Sequence, residues 1–191
     1  MGNYAIVSEV GNALVKMLRD NMIPDVIHNR DTILLCSPSE KGDAVLGLCL
    51  YNVEECKEYQ ETGMNNLSLS EQRYPSTCLS LYYMITAYSD GDVKFRASEE
   101  QKVLGRAMQV LLDHTLLHEE TLEPVEKNDF LSISVNMISM DMEEKIRIWN
   151  APNIPYRLSF FIKVSPVKLE SEKTREIQRV RDVSFDMVEK R

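Results

Sequence analysis

The stretch that decides the fold is WNAPNIPYRLSFFIKVSPVKLE, which runs from Trp149 to Glu170. From Tyr156 onward, apolar and polar residues alternate, so the apolar side chains share one face of an extended segment. The apolar face carries Tyr156, Leu158, Phe160, Ile162 and Val164, and the other face carries Arg157, Ser159, Lys163 and Ser165. This pattern predicts a long core strand.

A second long strand is predicted from Thr77 to Tyr88, where the sequence is almost continuously apolar. One of its faces carries Leu79, Leu81, Tyr83, Ile85 and Ala87. Because polar residues are scarce on the other face as well, the strand is expected to be central or covered on both sides.

Three helices are predicted from apolar residues that recur every three or four positions. They are Tyr4–Asn21, Ser98–Leu112 and Asp141–Trp149. The second and third begin at capping boxes, in which Ser98 precedes Gln101 and Asp141 precedes Glu144. Gly105 lies inside the second helix, which indicates close packing against another backbone.

The remaining segments complete the predicted order of elements. Ile33–Cys36 and Ala44–Glu54 are expected to form a β-hairpin across the turn-forming loop Ser37–Asp43, and Leu131–Met140 alternates as a half-buried strand. The polar segment Glu55–Arg73 has no period and is expected to be an exposed loop.

These elements predict an α+β fold: a single domain with an antiparallel or mixed β-sheet and two to three helices packed on one face. We expect the domain to span residues 1–170, followed by a charged, extended C-terminal arm over residues 171–191.

Composition narrows the classes of function. With 22 basic and 30 acidic residues, the net charge of −8 argues against a nucleic-acid partner, which would need a basic face. No apolar run approaches the roughly 20 residues that span a bilayer, so no membrane partner is expected. The four cysteines lack CxxC spacing and are expected to be buried, reduced thiols.

The sequence contains few catalytic or ligand-binding motifs. The sequence has no GxSxG, P-loop, HExxH or GxGxxG motif. His114 and His118 are four residues apart, as metal ligands on a helix can be, but His114 lies where a histidine commonly caps a helix C-terminus. We therefore expect no catalytic residue, cofactor or metal, and no enzyme.

The C-terminal arm carries the candidate partner contacts. Its apolar residues fit a thin helical stripe through Ile177, Val180, Val183 and Met187, or one face of a strand through Val183, Phe185 and Met187, and periodicity does not choose between them. The arm is either a frayed, solvated terminus or a segment that adds to the sheet of a neighbouring subunit. The candidate contact residues are Arg175, Arg179, Arg181, Val183, Phe185 and Met187.

Several phrases of the sequence resemble one family. Together with Trp149–Glu170 they are IVSEVGNALVKMLRDNMIPD (Ile6–Asp25), RYPSTCLSLYYMITAYS (Arg73–Ser89) and LGRAMQVLLD (Leu104–Asp113). They look like the cap, or tail-terminator, family of extracellular contractile injection systems, the phage-tail-like particles typified by the Photorhabdus virulence cassette and the antifeeding prophage. The resemblance extends to about Val167.

The resemblance implies a structural role. It implies a homohexameric ring on the last layer of the inner tube and sheath, which ends their polymerisation, with the tube protein, the sheath protein and further copies of the chain as partners. It also implies assembly in the cytoplasm, followed by incorporation into the particle. Candidate contact segments are Ser37–Asp43, Glu55–Arg73 and the tail from Lys173.

Two other interpretations stay open. One is an assembly, baseplate or tube adaptor of the same particle, and the other is a small cytosolic enzyme, which the missing chemistry makes improbable.

Overall fold

The computed structural model describes residues 4–59, 61–117, 132–150 and 153–177. Within these ranges the helices are α1 (Ile6–Met22), α2 (Val93–Asp113) and α3 (Met142–Asn150). The strands are β1 (Ile33–Leu35), β2 (Leu46–Glu55), β3 (Asn65–Asn66), β4 (Glu71–Arg73), β5 (Thr77–Ala87), β6 (Leu116–Leu117), β7 (Ile133–Ile138), β8 (Ser159–Leu169) and β9 (Thr174–Glu176).

A mixed six-stranded sheet forms the centre of the fold, in the order β1-β2-β5-β8-β7-β6. Its central pair is β5 and β8, which run antiparallel with Ile85 opposite Phe160 and Tyr83 opposite Ile162. These two strands are the ones that the apolar patterns predict, although β8 begins three residues after Tyr156 and continues to Leu169. The predicted α+β fold with a mixed sheet is confirmed.

The main core lies between one face of this sheet and the helices α1 and α2. Strand residues that alternate along β5 and β8 meet the apolar stripes of both helices. The buried set includes Val10, Leu14 and Leu18 of α1, Leu104, Ala107 and Leu111 of α2, and Leu81, Tyr83, Ile85, Ile162 and Val164 of the strands. A Cβ at Gly11 would lie only 2.9 Å from a methyl of Leu35, so this glycine lets α1 lie close to β1.

The opposite face of the sheet carries a smaller core beneath α3. Trp149 is fully buried there with Met84 and Phe161, and its indole Nε1 donates to the Ser159 hydroxyl at 3.3 Å. Tyr51 meets the Phe161 ring edge-on at 5.5 Å. Two helices therefore pack on one face and the third packs on the other, so β5 and β8 are largely buried on both sides.

The predicted capping box at α3 is confirmed. The Glu144 N–H donates to Asp141 Oδ1 at 2.8 Å, and the Asp141 N–H donates to Glu144 Oε2 at 3.4 Å. The predicted start of α2 at Ser98 is wrong, because Asp92 caps the helix earlier by accepting a hydrogen bond from the Lys94 N–H. The close packing expected at Gly105 is also wrong, since a Cβ there would meet nothing within 4 Å.

The predicted hairpin between β1 and β2 is wrong, because the two strands are parallel. After β1 a helical turn over Pro38–Glu40 carries the chain back, and the Val45 N–H donates to the Thr32 carbonyl at 2.9 Å. The chain thus re-enters the sheet beside the beginning of β1. Turn residues indicate where a chain bends but do not fix the direction in which it pairs again.

None of the helices in the described ranges is long and apolar enough to cross a membrane.

We expect Phe160→Ala to lower the free energy of unfolding by about 3–5 kcal/mol, because it leaves a cavity in the main core. Phe95→Ala is the matched control, since Phe95 is largely exposed at the start of α2 and its loss should change stability by under about 0.5 kcal/mol. Chemical denaturation of the two variants measures the difference. Equal stability of both variants would show that the core lies elsewhere.

Candidate interaction surfaces

A second sheet, of three strands, extends the two central strands of the first sheet. Three residues connect β4 to β5, and four residues connect β8 to β9. The pairing of β5 with β8 and the pairing of β4 with β9 are both antiparallel, with Thr77 opposite Leu169 and Arg73 opposite Thr174. β3 lies beside β4 on the other side. We call residues 61–76 and 170–177 the ribbon. It continues the β5–β8 ladder beyond the end of the main sheet.

An ion pair between Glu61 of the ribbon and Lys168 of β8 joins the ribbon to the main sheet. Glu61 Oε1 lies 2.7 Å from Lys168 Nζ, and Glu61 Oε2 accepts from the Asn65 side-chain amide and the Ser76 N–H, each at 3.1 Å. Desolvation alone would raise the pKa of Glu61, but the Lys168 ammonium and these two donors outweigh it and lower the pKa to about 2. The carboxylate is therefore charged throughout the physiological range.

Further contacts hold the C-terminal strand of the ribbon in place. Arg73 pairs with Glu170 at 2.7 Å, and both side chains are less than a quarter exposed. The Lys173 ammonium lies 4.3 Å from the centre of the Tyr74 ring, and the Tyr74 N–H donates to the Lys173 carbonyl. At the far end, the Ile177 N–H donates to the Ser70 carbonyl at 2.9 Å. The path of the chain as far as Ile177 is thus set by the ribbon.

Two leucines are exposed at the tip of the ribbon, where β3 turns into β4. Leu69 is 70% exposed and Leu67 is 42% exposed, although the backbone of the turn is held by hydrogen bonds from the Leu67 and Ser68 N–H groups to the Glu71 carbonyl. Apolar side chains presented on a braced turn are typical of a protein contact. The tip is therefore a candidate interaction surface.

The sequence-predicted contact segments divide between two ends of the molecule. The Glu55–Arg73 segment and the start of the tail come together in the ribbon, so the exposed character predicted for the segment is confirmed but the absence of regular structure is wrong. The loop Ser37–Asp43 lies at the opposite end of the central strands, where Lys41 Nζ is 3.5 Å from Asp90.

Among the predicted contact residues, Arg175 is exposed in β9 opposite Gln72. The others, Arg179, Arg181, Val183, Phe185 and Met187, lie outside the described residues.

Two cavities lie in the described part of the chain. The larger one, about 700 Å³, lies between α2 and the end of β5 and is lined by Glu99 and Glu100 among others. Glu99 accepts a hydrogen bond from the Ser89 hydroxyl, and Glu100 is paired with Arg157 at 3.0 Å. Both carboxylates are thus used to fasten neighbouring segments.

The smaller cavity, about 510 Å³, lies between the N-terminus of α1 and the strands β1 and β2. Its lining is mainly apolar and includes Tyr4, Val7, Leu35, Leu50 and Tyr83. Sequence reasoning missed both this cavity and the ribbon.

The cysteines and histidines have structural surroundings. The four thiols are free, as predicted, with Cys56 and Cys78 buried and Cys36 and Cys49 half-buried. Burial raises the pKa of the Cys78 thiol to about 11, which opposes formation of a thiolate.

His114 ends α2, and its backbone N–H and ring Nδ1 both lie within hydrogen-bond distance of the Val110 carbonyl. This confirms the capping position predicted for it. His118 lies outside the described residues, and within those residues no three potential ligands are grouped around a metal position.

Comparison with known proteins places the sequence in a family. Residues 9–182 match the family described as the Pvc16 N-terminal domain. No curated protein matches the sequence significantly.

Several solved structures share the fold, among them two that are described as terminators. One is described as the sheath/tube terminator of an extracellular contractile injection system, PVC, in the extended state, with a TM-score of 0.66 at 14% identity over 96% of this chain. The other is described as the anti-feeding prophage cap, the AFP tube terminating cap, with a TM-score of 0.59 at 16% identity over 93% of this chain. The matches cover 64% and 60% of those chains, so this chain spans less than two thirds of their length.

The structure is an α+β domain whose fold is shared with these two terminator structures. The chain belongs to the Pvc16 N-terminal domain family.

We expect Glu61→Gln to destabilise the protein by about 1–2 kcal/mol at neutral pH, because it removes the charged partner of Lys168 and weakens two hydrogen bonds. Since the folded-state pKa of Glu61 is lowered from 4.5 to about 2, its stabilisation is present above pH 4.5 and is lost as the pH falls toward 2.

Urea unfolding of wild type and variant between neutral pH and pH 3 measures this difference. Glu172→Gln, at an exposed carboxylate that follows β8, is the matched control. A Glu61→Gln effect that stays constant from neutral pH to pH 3 would contradict the assignment.

Proposed function

We propose that the chain is a structural cap, or tail terminator, of a phage-tail-like contractile injection particle. The observation that carries the proposal is the family match over residues 9–182, supported by a fold shared with two proteins described as terminators of a tube or of a sheath and tube. In this role the protein covers the last layer of inner tube and sheath and ends their polymerisation.

We further propose that the cap is a homohexameric ring whose partners are the terminal tube and sheath proteins. A ring requires a heterologous contact between neighbouring copies that closes on itself. The ribbon is suited to contact the layer beneath or an adjacent copy, because it extends past the end of the main sheet with Leu67 and Leu69 exposed at its tip. In the proposal the ring assembles in the cytoplasm and then remains part of the particle.

The role we propose is not catalytic. In the described part of the chain, the carboxylates that line the larger cavity are engaged in fastening segments, and burial raises the pKa of Cys36, Cys49 and Cys78. The net charge of −8 likewise gives no support to a nucleic-acid partner.

An assembly or baseplate adaptor is the alternative within the same particle. The two hypotheses differ in what happens when the protein is missing. Loss of a cap leaves the end of the tail open for further addition of tube and sheath layers, whereas loss of a baseplate adaptor prevents tails from starting.

We predict that a strain without this protein forms tails of aberrant length, or separated tubes and sheaths, because the growing end is not closed. Electron microscopy of purified particles measures tail length and integrity. Complementation with wild type should restore tails of uniform length, whereas Leu67→Asp combined with Leu69→Asp should not, because the altered tip loses its apolar contact.

Leu112→Asp is the matched control for the tip variants, since Leu112 is exposed on α2. It should complement as well as wild type does. Uniform, contractile particles from the deletion strain would overturn the cap proposal, and a complete absence of tubes and sheaths would favour the adaptor.

A further inference from the structure

The thiols of Cys56 and Cys78 lie side by side in the structure. Glu55 of β2 is opposite Leu79 of β5, and Cys56 and Cys78 continue this register by one residue. The Cys56 N–H donates to the Cys78 carbonyl at 2.7 Å, so the two residues form a hydrogen-bonded antiparallel pair. Residues that are directly opposite in such a pair direct their side chains to the same face of the sheet, which brings the two sulfurs together.

The spacing of this pair suits a disulfide. The Cα atoms of a hydrogen-bonded antiparallel pair are about 5.5 Å apart, and disulfides most often join Cα atoms that are about 5.5–6 Å apart. The two thiols are already hydrogen-bonded to each other. A bond between the sulfurs therefore requires rotation of two side chains and leaves the strands in place.

Burial protects the reduced pair from rapid oxidation. Cys56 is 5% exposed and Cys78 is 4% exposed. Burial and the neighbouring Cys56 thiol raise the pKa of Cys78, and the Val167 N–H, which donates toward the Cys78 sulfur, acts in the opposite direction with a smaller effect. Because the thiolate is the form that attacks a disulfide, oxidation of this pair is slow and requires local opening of the structure.

The chain that follows Cys56 provides a place for such an opening. β2 ends at Glu55, and one short helical turn, Lys57–Tyr59, comes directly after Cys56. Lys57 and Tyr59 are both exposed. A single exposed turn at the end of a strand opens at a lower free energy than the core of the sheet does. Cys56 is therefore the thiol that an oxidant reaches first.

The pair lies at the junction between the main sheet and the ribbon. Residues 57–77, which separate the two cysteines in sequence, contain the ribbon strands β3 and β4. Glu61 joins the ribbon to the main sheet through its ion pair with Lys168 and its hydrogen bond from the Ser76 N–H. A disulfide between Cys56 and Cys78 would add a covalent bond at this junction and close a loop around both strands.

We propose that Cys56 and Cys78 form a modification site, at which a small-molecule disulfide such as glutathione disulfide converts the two thiols into an intramolecular disulfide that fixes the base of the ribbon. The inference concerns the chain itself and does not depend on the proposed cap role. A reducing cytoplasm keeps thiols reduced, so the bond forms on transfer to an oxidising environment.

The reaction consists of two thiol–disulfide exchanges. The Cys56 thiolate attacks one sulfur of glutathione disulfide, so that the S–S bond of the oxidant breaks, one glutathione is joined to Cys56 and the other leaves as a thiol. The Cys78 thiolate then attacks the Cys56 sulfur and displaces the second glutathione. The protein loses two protons and two electrons, and the two glutathione thiols carry them away.

Mass spectrometry of the oxidised protein tests this site. In the variant that combines Cys36→Ser with Cys49→Ser, Cys56 and Cys78 are the remaining cysteines, so an intramolecular disulfide must join them. The folded, full-length variant and wild type are incubated with glutathione disulfide, and free thiols are then alkylated. We expect both proteins to lose two hydrogen atoms and to yield a tryptic peptide pair that joins residues 42–57 to residues 74–94.

Thermal unfolding supplies a second measurement. The midpoint of unfolding of the oxidised double variant should rise by roughly 5–10 °C, because the bond closes the loop of residues 57–77 in the unfolded chain. Reduction with dithiothreitol should reverse the rise. Cys56→Ser added to the double variant is the matched control, and oxidant should produce neither the peptide pair nor the rise in that protein.

Four outcomes would overturn the proposal. They are thiols that stay free after prolonged incubation with the oxidant, disulfides that form only between copies, glutathione adducts that never convert to the intramolecular bond, and a wild-type disulfide that joins Cys36 to Cys49 while Cys56 and Cys78 stay reduced. A Cys56–Cys78 bond without a rise in the unfolding midpoint would contradict its role in fixing the ribbon.

Discussion

The antiparallel pairing of β5 with β8 is the interaction on which the rest of the structure depends. Both strands are largely buried on both faces, because α1 and α2 cover one face and Trp149 of α3 covers the other. The same ladder continues through short connections into β4 and β9. One pairing thus builds the core and sets the direction of the ribbon that extends from it.

The surfaces suited to assembly lie where this ladder is no longer covered. The main sheet is held by apolar packing, whereas the ribbon is held by the ion pairs of Lys168 with Glu61 and of Arg73 with Glu170. Partly buried pairs of this kind with additional hydrogen bonds define geometry more than they add stability. The consequence is an extension whose tip leucines are exposed and, among the described residues, a β2 edge without a neighbouring strand beyond Leu48.

The parts of the fold that the sequence predicts are those with a strong period over many residues. The alternation around Phe160 and the apolar run from Thr77 locate β8 and β5, and the local capping box at Asp141 locates α3. The parallel pairing of β1 with β2 depends instead on where the chain returns after Pro38–Glu40, which no local pattern encodes.

The sequence pattern does not predict the ribbon, for a related reason. Its strands are two or three residues long without apolar alternation, and Glu61 meets Lys168 only in the folded chain. The resemblance to terminator proteins, by contrast, is carried by long core phrases, and the family match confirms it.

The measurement that tests the central claim most directly is a cryo-electron microscopy reconstruction of the tail end opposite the baseplate. The account predicts a six-fold ring of this protein seated on the last tube and sheath layer, and particles with no copy of the protein at that end would contradict it.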